Sequence, residues 1–330
     1  MGILSLDQFK QPTFLGYVEN RVLPKQYLLK AISEFDVTFD LTFDYDVFTQ
    51  TYTPGAAITG WNSGAPLRDK QGLKTLTQEI AKLQHGVRID EREQLKFKNP
   101  RVQAEREKAI QKIYDQTDKL IEGVNDTEEW LRGQAVYLGV IVYQSDDAKI
   151  NVNFNLPAMV TVATPWTNRT TSTPIDDIRT AFTAYKKANG GAMPVYMDIS
   201  GDALLDLMLN QQVRGGLYGV NNAMVPNQGE IEALIRKTVN SPQLQIRVND
   251  DEVSVIAGGP TRLLPLRTVA FLGDEPIITV HGPTVEKDFN PGIYVVPKSD
   301  MGPPPQDEIY VGESAFVGVK KPSQIYRLSV

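Results

Sequence analysis

Apolar and polar residues alternate without a break over residues 36–47, with Val37, Phe39, Leu41, Phe43, Tyr45 and Val47 on one side and Asp36, Thr38, Asp40, Thr42, Asp44 and Asp46 on the other. A period of two predicts extended strand, one face against protein and the other acidic and wet. At about 3.3 Å per residue the run spans on the order of 40 Å. Strands usually stop after about five or six residues, so this one needs a partner beyond a small domain or a bend midway. Residues 52–72 are crowded with Gly, Pro and small polar residues around Trp61. Between two strand-like flanks, that composition predicts an extended two-stranded excursion with a flexible tip. Trp61 is then covered either by a neighbouring subunit or by a local core edge.

Other segments carry the helical period. Residues 25–34 show weak helical spacing within an N-terminal stretch that contains Pro12 and Pro24. A run of mixed charge, 88–108, suits either salt bridges between subunits or a solvated helix face. It leads into a helix with one apolar stripe of Ile110, Ile113, Tyr114, Thr117, Leu120, Ile121 and Val124. Asn125-Asp126 is expected to interrupt it, with Asp126 and Glu129 spaced as the capping box of a second helix through Trp130, Leu131, Ala135 and Leu138. Ile150, Val152 and Phe154 alternate with asparagines as another strand.

From Thr173 the texture becomes alternating helix and strand. A helix opens at Thr173-Pro174 and stops at Asn189-Gly190-Gly191, and a strand covers 193–199. Ser200 caps a helix that ends near Gly215-Gly216, a further helix covers 230–239, and strands follow at 244–248 and 252–256. This is a compact α/β unit of about 110 residues. The strands at 308–319 and 324–330 have partners only in each other and in earlier strands. A return of the chain end to an earlier sheet makes the α/β unit an insertion.

At 330 residues the chain predicts roughly two compact units. The absence of cysteine removes disulfides, thiolate nucleophiles and cysteine metal sites together. A net charge of −6 disfavours gripping a nucleic-acid backbone. No secretory leader opens the chain, and the longest apolar run, 135–143, is about half a bilayer crossing. Of the two histidines, His85 and His281, neither lies in a catalytic or metal motif. Gly72-Leu73-Lys74-Thr75 is no phosphate loop, Gly215-Gly216-Leu217-Tyr218-Gly219 reads as a helix stop and flexible loop, and Gly312-Glu313-Ser314 lacks the closing glycine of a nucleophile elbow. Asp176/Asp177 and Asp250/Asp251 suit a helix first turn and a hairpin turn. No catalytic residue, cofactor or metal is expected.

Taken in order, these elements resemble the lambda-type major capsid protein (protein E) family of tailed bacteriophages, whose members have the HK97-like fold. The resemblance covers most of the chain. It is carried by the 36–47 strand, Thr53-Pro54-Gly55, the loop at Gly60-Trp61 with its return through Lys74 to Arg92, Glu129-Trp130 with Leu138-Gly139, and Pro283 with Pro291-Gly292-Ile293-Tyr294-Val295. It implies an α+β fold: an N-terminal arm (1–35), an extended two-stranded loop with flanking strands (36–99), a long spine helix with peripheral-domain strands (100–172), an inserted α/β axial domain (173–280), and a return to the peripheral domain (281–330). The interruption at 123–126 departs from a single straight spine.

The function implied is that of a subunit without chemistry of its own. Pentamers and hexamers of one chain self-assemble into an icosahedral head around phage double-stranded DNA, held without sequence-specific binding. The implied location is the virion, after assembly in the host bacterial cytoplasm. Implied partners are other copies of the chain, a portal protein, a decoration protein at three-fold contacts, and no membrane. A separate scaffolding protein is also expected, since no long domain precedes the arm, and closed shells from the chain alone would refute it. The reaching segments before residue 100 are expected to have too little local core and to lie across sister copies. Contacts between copies are expected at Phe39, Phe43, Tyr45, Tyr52, Pro54, Trp61, Arg88, Arg92, Arg101, Arg106 and Arg214. Two alternatives stand beside this reading: an encapsulin-like nanocompartment, told apart by enzyme cargo in place of a genome, and an α/β enzyme on 173–280, which requires a polar cluster that the sequence does not offer.

Overall fold

The alternating run bends midway. The computed structural model describes residues 4, 6–19, 21, 25–48, 56, 58, 59, 61, 73–89, 91–98, 100, 102–145, 148–219, 224–255, 259–300 and 306–330. In it the run forms two strands, Ser33–Val37 and Thr42–Phe48. The second pairs with Leu73–Glu79 in a two-stranded ribbon, as the strand-like flanks of the excursion predict. Most of the excursion itself lies outside the described residues. In Thr42–Phe48 the alternation sets burial residue by residue, with Phe43, Tyr45 and Val47 inside and their neighbours in water. Before the bend it does not, and Val37, Phe39 and Leu41 are 56%, 70% and 73% exposed.

The chain divides into two units. The first comprises Met1–Phe43, Thr77–Arg132 and Thr279–Val317, and the second Asp44–Leu76, Gly133–Ile278 and Gly318–Val330. A six-stranded sheet organises the first. Its main path runs Ser33–Val37, Ile277–Thr284, Gln306–Val319, Tyr294–Asp300, and Ala81–Ile89 also pairs with Gln306–Val319. Tyr294–Asp300 and Ala81–Ile89 both run antiparallel to that strand.

The helix Gln103–Gly133 has 31 residues and is about 46 Å long at 1.5 Å per residue. Its stripe buries Ile113, Leu120, Ile121 and Val124 against Ile89, Phe97, Val295, Ile309 and Val311. The expected interruption at 123–126 is absent. Asn125 and Thr127 donate back to the carbonyls of Ile121 and Gly123, each at 2.9 Å, so they decorate the helix and do not restart it. Asp126 caps nothing and instead accepts from Lys25 Nζ at 2.5 Å and Tyr27 OH at 3.0 Å. Gly123 leaves room for His85, whose exposed ring places Nε2 2.6 Å from the Leu120 carbonyl and would be pushed aside by a Cβ on residue 123. The capping box is formed elsewhere, by Asn227 and Glu230 at the start of Gln228–Val239.

The N-terminal segment also departs from expectation. Its α-helix is Gln11–Glu19, with Pro12 in the first turn where no backbone donor is needed, and 25–34 holds only one 3-10 turn, Lys30–Ile32. Phe9, Phe14, Leu29 and Ile32 are buried, so this stretch uses the chain's own core, contrary to the expectation for all segments before residue 100. Tyr17 OH donates to Asp118 at 2.8 Å and Arg21 pairs with the same carboxylate at 2.8 Å. The apolar row at 37–41 fits that expectation better.

The second unit holds the α/β part. A five-stranded sheet runs Val160–Thr161, Ile325–Ser329, Thr268–Leu272, Tyr196–Ile199, Gln245–Val248, parallel at both outer pairs and antiparallel within. Helices Pro174–Ala188, Gly201–Leu209, Gln211–Tyr218 and Gln228–Val239 supply Ile178, Phe182, Leu207, Val213 and Ile231 to one core with Met197, Phe271 and Trp166. Gly215-Gly216 lies inside a helix that ends at Gly219 (φ 89°), and the break falls earlier, at Asn210, whose side chain caps Gln212 and Val213. Ser200 makes no side-chain cap of its helix; its hydroxyl accepts from Thr268 N at 3.3 Å. The last strand, Ile325–Ser329, joins this α/β sheet, whereas Gln306–Val319 pairs with the earlier strand Ala81–Ile89. Both final strands thus pair with earlier ones, in different sheets, and the last also lies beside Val160–Thr161, which precedes the α/β helices.

Candidate assembly surface and a buried ionic cluster

In the first unit the end of the long helix meets two strands through charged side chains. Arg132 is fully buried; its Nε donates to Thr279 Oγ1 at 3.0 Å, Nη1 to Glu129 Oε2 at 3.1 Å and Nη2 to Glu128 Oε2 at 2.8 Å. Glu129 Oε1 accepts from Leu29 N at 2.6 Å, and the Ser33 and Thr279 hydroxyls lie 2.7 Å apart. His281 stands between two carboxylates, with Nε2 3.5 Å from Glu128 Oε1 and Nδ1 3.5 Å from Glu313 Oε2. Burial, and then the neighbouring Glu128 charge, push Glu313 upward. Burial alone raises Glu128 too, but Arg132 and His281 outweigh it and hold that group below the usual carboxylate range. For His281 burial acts downward, and the two carboxylates overcome it and raise the imidazole.

A second network, within the other unit, is fully partnered by comparison. Arg247 grips Asp198 through Nε at 2.7 Å and Nη2 at 2.8 Å, Tyr137 OH donates to Asp198 at 2.6 Å, and Asn249 Nδ2 donates to Tyr137 OH at 3.0 Å. Burial first, and then the Asp198 charge, raise Tyr137 well above the ordinary phenol range. A satisfied bidentate pair of this kind holds strands in register.

The residues expected to touch sister copies differ widely in exposure. Phe39 and Trp61 stand in water. Phe43 and Tyr45 are 6% and 5% exposed, which leaves little of either ring for a second molecule. Arg88 pairs with Glu308 at 3.2 Å across adjacent strands, Arg92 is exposed, and the Arg106 guanidinium lies 4.9 Å from the Phe97 ring centre. Arg214 is half-buried, and its Nε has no hydrogen-bond partner among the described residues. Tyr52, Pro54 and Arg101 lie outside the described residues. The ionic cluster was not foreseen, and His281 is not the isolated side chain that its sequence neighbours suggest. One signal was available: Glu313 lies in the run 311–319, which is otherwise apolar or small, where a carboxylate needs a partner.

A family model described as phage major capsid protein E matches residues 50–306, well over half of the chain. The chain belongs to that family. Among solved structures it is similar to a protein assigned as the capsid protein of an Escherichia coli CFT073 prophage, with a TM-score of 0.66 and 12% identity over 97% of this chain and 98% of that one. A phage-related protein from Bordetella bronchiseptica RB50 matches with a TM-score of 0.57 and 11% identity over 96% of each chain. A structure from Gordonia phage Cozz matches at 0.50 and 12%, over 96% of this chain and 93% of that one. No curated protein matches the sequence significantly. At these identities the structural likeness shows the fold, which is HK97-like. The family is one of structural shell proteins, so the chain is a shell-forming capsid subunit of a phage head and the nanocompartment reading is not favoured. Among the described residues no helix is long and apolar enough to cross a membrane.

Proposed function

We propose that this capsid subunit closes its shell as pentamers and hexamers, with the exposed row Val37, Phe39 and Leu41 covered by a sister copy. The observation behind this reading is three large apolar side chains at alternate positions, each more than half exposed. Such a row in water marks a surface that another protein covers. Trp61, fully exposed on the excursion, belongs to the same reading. Arg88, Arg92, Arg106 and Arg214 add polar contacts, each modest alone, and many modest contacts per subunit hold a shell while permitting correction of errors.

On this reading residues 173–280 cluster at the five-fold and six-fold axes, the excursion approaches three-fold contacts where a decoration protein binds, and a scaffolding and a portal protein take part in assembly in the host cytoplasm. The net charge of −6 suits a container that holds DNA without adhering to it. Covering the exposed share of Phe39 and Leu41 contributes about 1–2 kcal/mol each per contact. Phe39→Ser with Leu41→Ser is expected to leave the circular dichroism spectrum unchanged and to abolish or strongly weaken shell formation, read by electron microscopy and sedimentation in the presence of the neighbouring phage proteins. Shells formed as readily as by the wild type would refute the assigned surface.

A further inference from the structure

In the buried cluster of the first unit carboxylates outnumber cations. Glu128, Glu129 and Glu313 face one guanidinium, Arg132, and one imidazole, His281. Counted as fully ionised, three carboxylates against the guanidinium and the imidazolium leave one surplus negative charge out of water, which a fold does not sustain without a counter-charge. Most of the oxygens are committed. Arg132 takes Glu128 Oε2 and Glu129 Oε2, and Leu29 N takes Glu129 Oε1. Two are not: Glu128 Oε1 and Glu313 Oε1 accept no hydrogen bond, although both side chains are only 2% exposed.

Neither glutamate makes a close hydrogen bond to the imidazole: Nε2 stands 3.5 Å from Glu128 Oε1 and Nδ1 3.5 Å from Glu313 Oε2, longer than a good N–H···O bond. An imidazole offers an ion one nitrogen at a time, so one of these separations corresponds to two ligands about 2.0–2.2 Å from a common ion, and the other glutamate closes in when the ion binds. One donor atom from each of Glu128, His281 and Glu313 lies within 4.8 Å of the others. We propose that these three residues bind one Zn²⁺ ion. One imidazole nitrogen with two carboxylates matches its ligand set, whereas the hard cations Ca²⁺, Mg²⁺ and Mn²⁺ favour oxygen. Arg132 orients Glu128 from behind, as the outer shell of a metal site does. The ligands come from the long helix and from two strands, Ile277–Thr284 and Gln306–Val319, so the ion pins the helix end to the sheet. The side chain of His281, 19% exposed, offers the path from solvent.

The test uses the untagged chain, stripped with chelator and dialysed at neutral pH against Zn²⁺. Elemental analysis is expected to find one ion per chain, and the melting midpoint to rise by several degrees over the chelated protein. Glu313→Gln keeps the side-chain shape and relieves buried charge, so it is expected to fold and melt no lower than the wild type in chelator, yet to lose the bound ion and the rise. His281→Gln is expected to lose both as well, while Asp115→Asn, on the exposed side of the same helix, keeps both. A wild type that binds no ion, or an ion and a rise that persist in Glu313→Gln and His281→Gln, would overturn the site and leave protons as the counter-charge.

Discussion

Replacing Arg132 by methionine keeps much of the side-chain volume and removes a guanidinium that serves three oxygens at 2.8 to 3.1 Å. Left behind are the carboxylates of Glu128 and Glu129, 2% and 1% exposed, with Glu313 close by. Breaking a buried pair by removing one partner costs about 3–5 kcal/mol. Protonation caps the penalty: neutralising one glutamate at neutral pH, about 2.7 units above its reference value, costs about 3.7 kcal/mol, so each stranded carboxylate takes up a proton once its burial exceeds that. The carboxylates stranded in the variant therefore have raised pKa values. The sign follows: the loss relative to wild type is largest at neutral pH and shrinks as pH falls toward the unfolded glutamate value near 4.3. Urea unfolding in chelator, followed by circular dichroism, is expected to show Arg132→Met less stable by about 3–5 kcal/mol near neutral pH, with the gap closing on acidification. Adding Glu128→Gln is expected to recover at least about 1 kcal/mol, because the second change removes a stranded charge. A variant within about 1 kcal/mol of wild type, or a gap that does not change with pH, would show that the cluster is not held by this ion pairing.

Three further outcomes follow from the same structure. Gly123→Ala is expected to stabilise by about 1 kcal/mol in a His85→Ala background, as an interior helix glycine should, and by clearly less or not at all while His85 is present; equal effects in both backgrounds, read in thermal melts, contradict the contact described. Asp198→Ala removes the buried carboxylate that Arg247 and the Tyr137 hydroxyl share, at an expected cost of about 2–4 kcal/mol by calorimetry, and a loss under about 1 kcal/mol counts against that network. Burial, with the Asp118 acceptor behind it, pushes Tyr17 up to about 12. A raised value means that its contribution is present below its unfolded value of about 10 and lost as pH climbs through the folded one. Tyr17→Phe is expected to delete one ionisation step near pH 12 from an ultraviolet tyrosine titration and to flatten the alkaline stability limb; loss of a step near the ordinary phenol value instead refutes the assignment.

The elements that could be read in advance are those whose signal is local. The strand Lys149–Asn153 follows from the alternation of Ile150 and Val152 with asparagines, and the helix Pro174–Ala188 from its proline start, its buried Ile178, Phe182 and Tyr185, and its glycine stop. Misreadings came from residues with two local meanings. Asn125-Asp126 has the chemistry of a helix cap, yet within a helix already held by its buried stripe the same side chains bond one turn back or reach the N-terminal segment. Gly123 and Gly215-Gly216 read as breaks, but packing overrides glycine's modest helix cost of about 1 kcal/mol. The candidate assembly row was half legible: alternation marked 36–47 as a strand, while its exposed half was revealed only by where the bend falls.

What the sequence determined by itself is the series of strands and helices, the α+β class and the resemblance to a shell protein, because periods of two and of three to four residues need only neighbouring side chains to be recognised. The tertiary structure alone decided that the N-terminal aromatics serve the chain's own core, that the last strand joins the α/β sheet, and that Glu128, His281 and Glu313 meet. Those three residues are separated by more than thirty positions at every step and lie on a helix and two strands. Their chemistry arises from burial and from the geometry of distant segments, which no local pattern records.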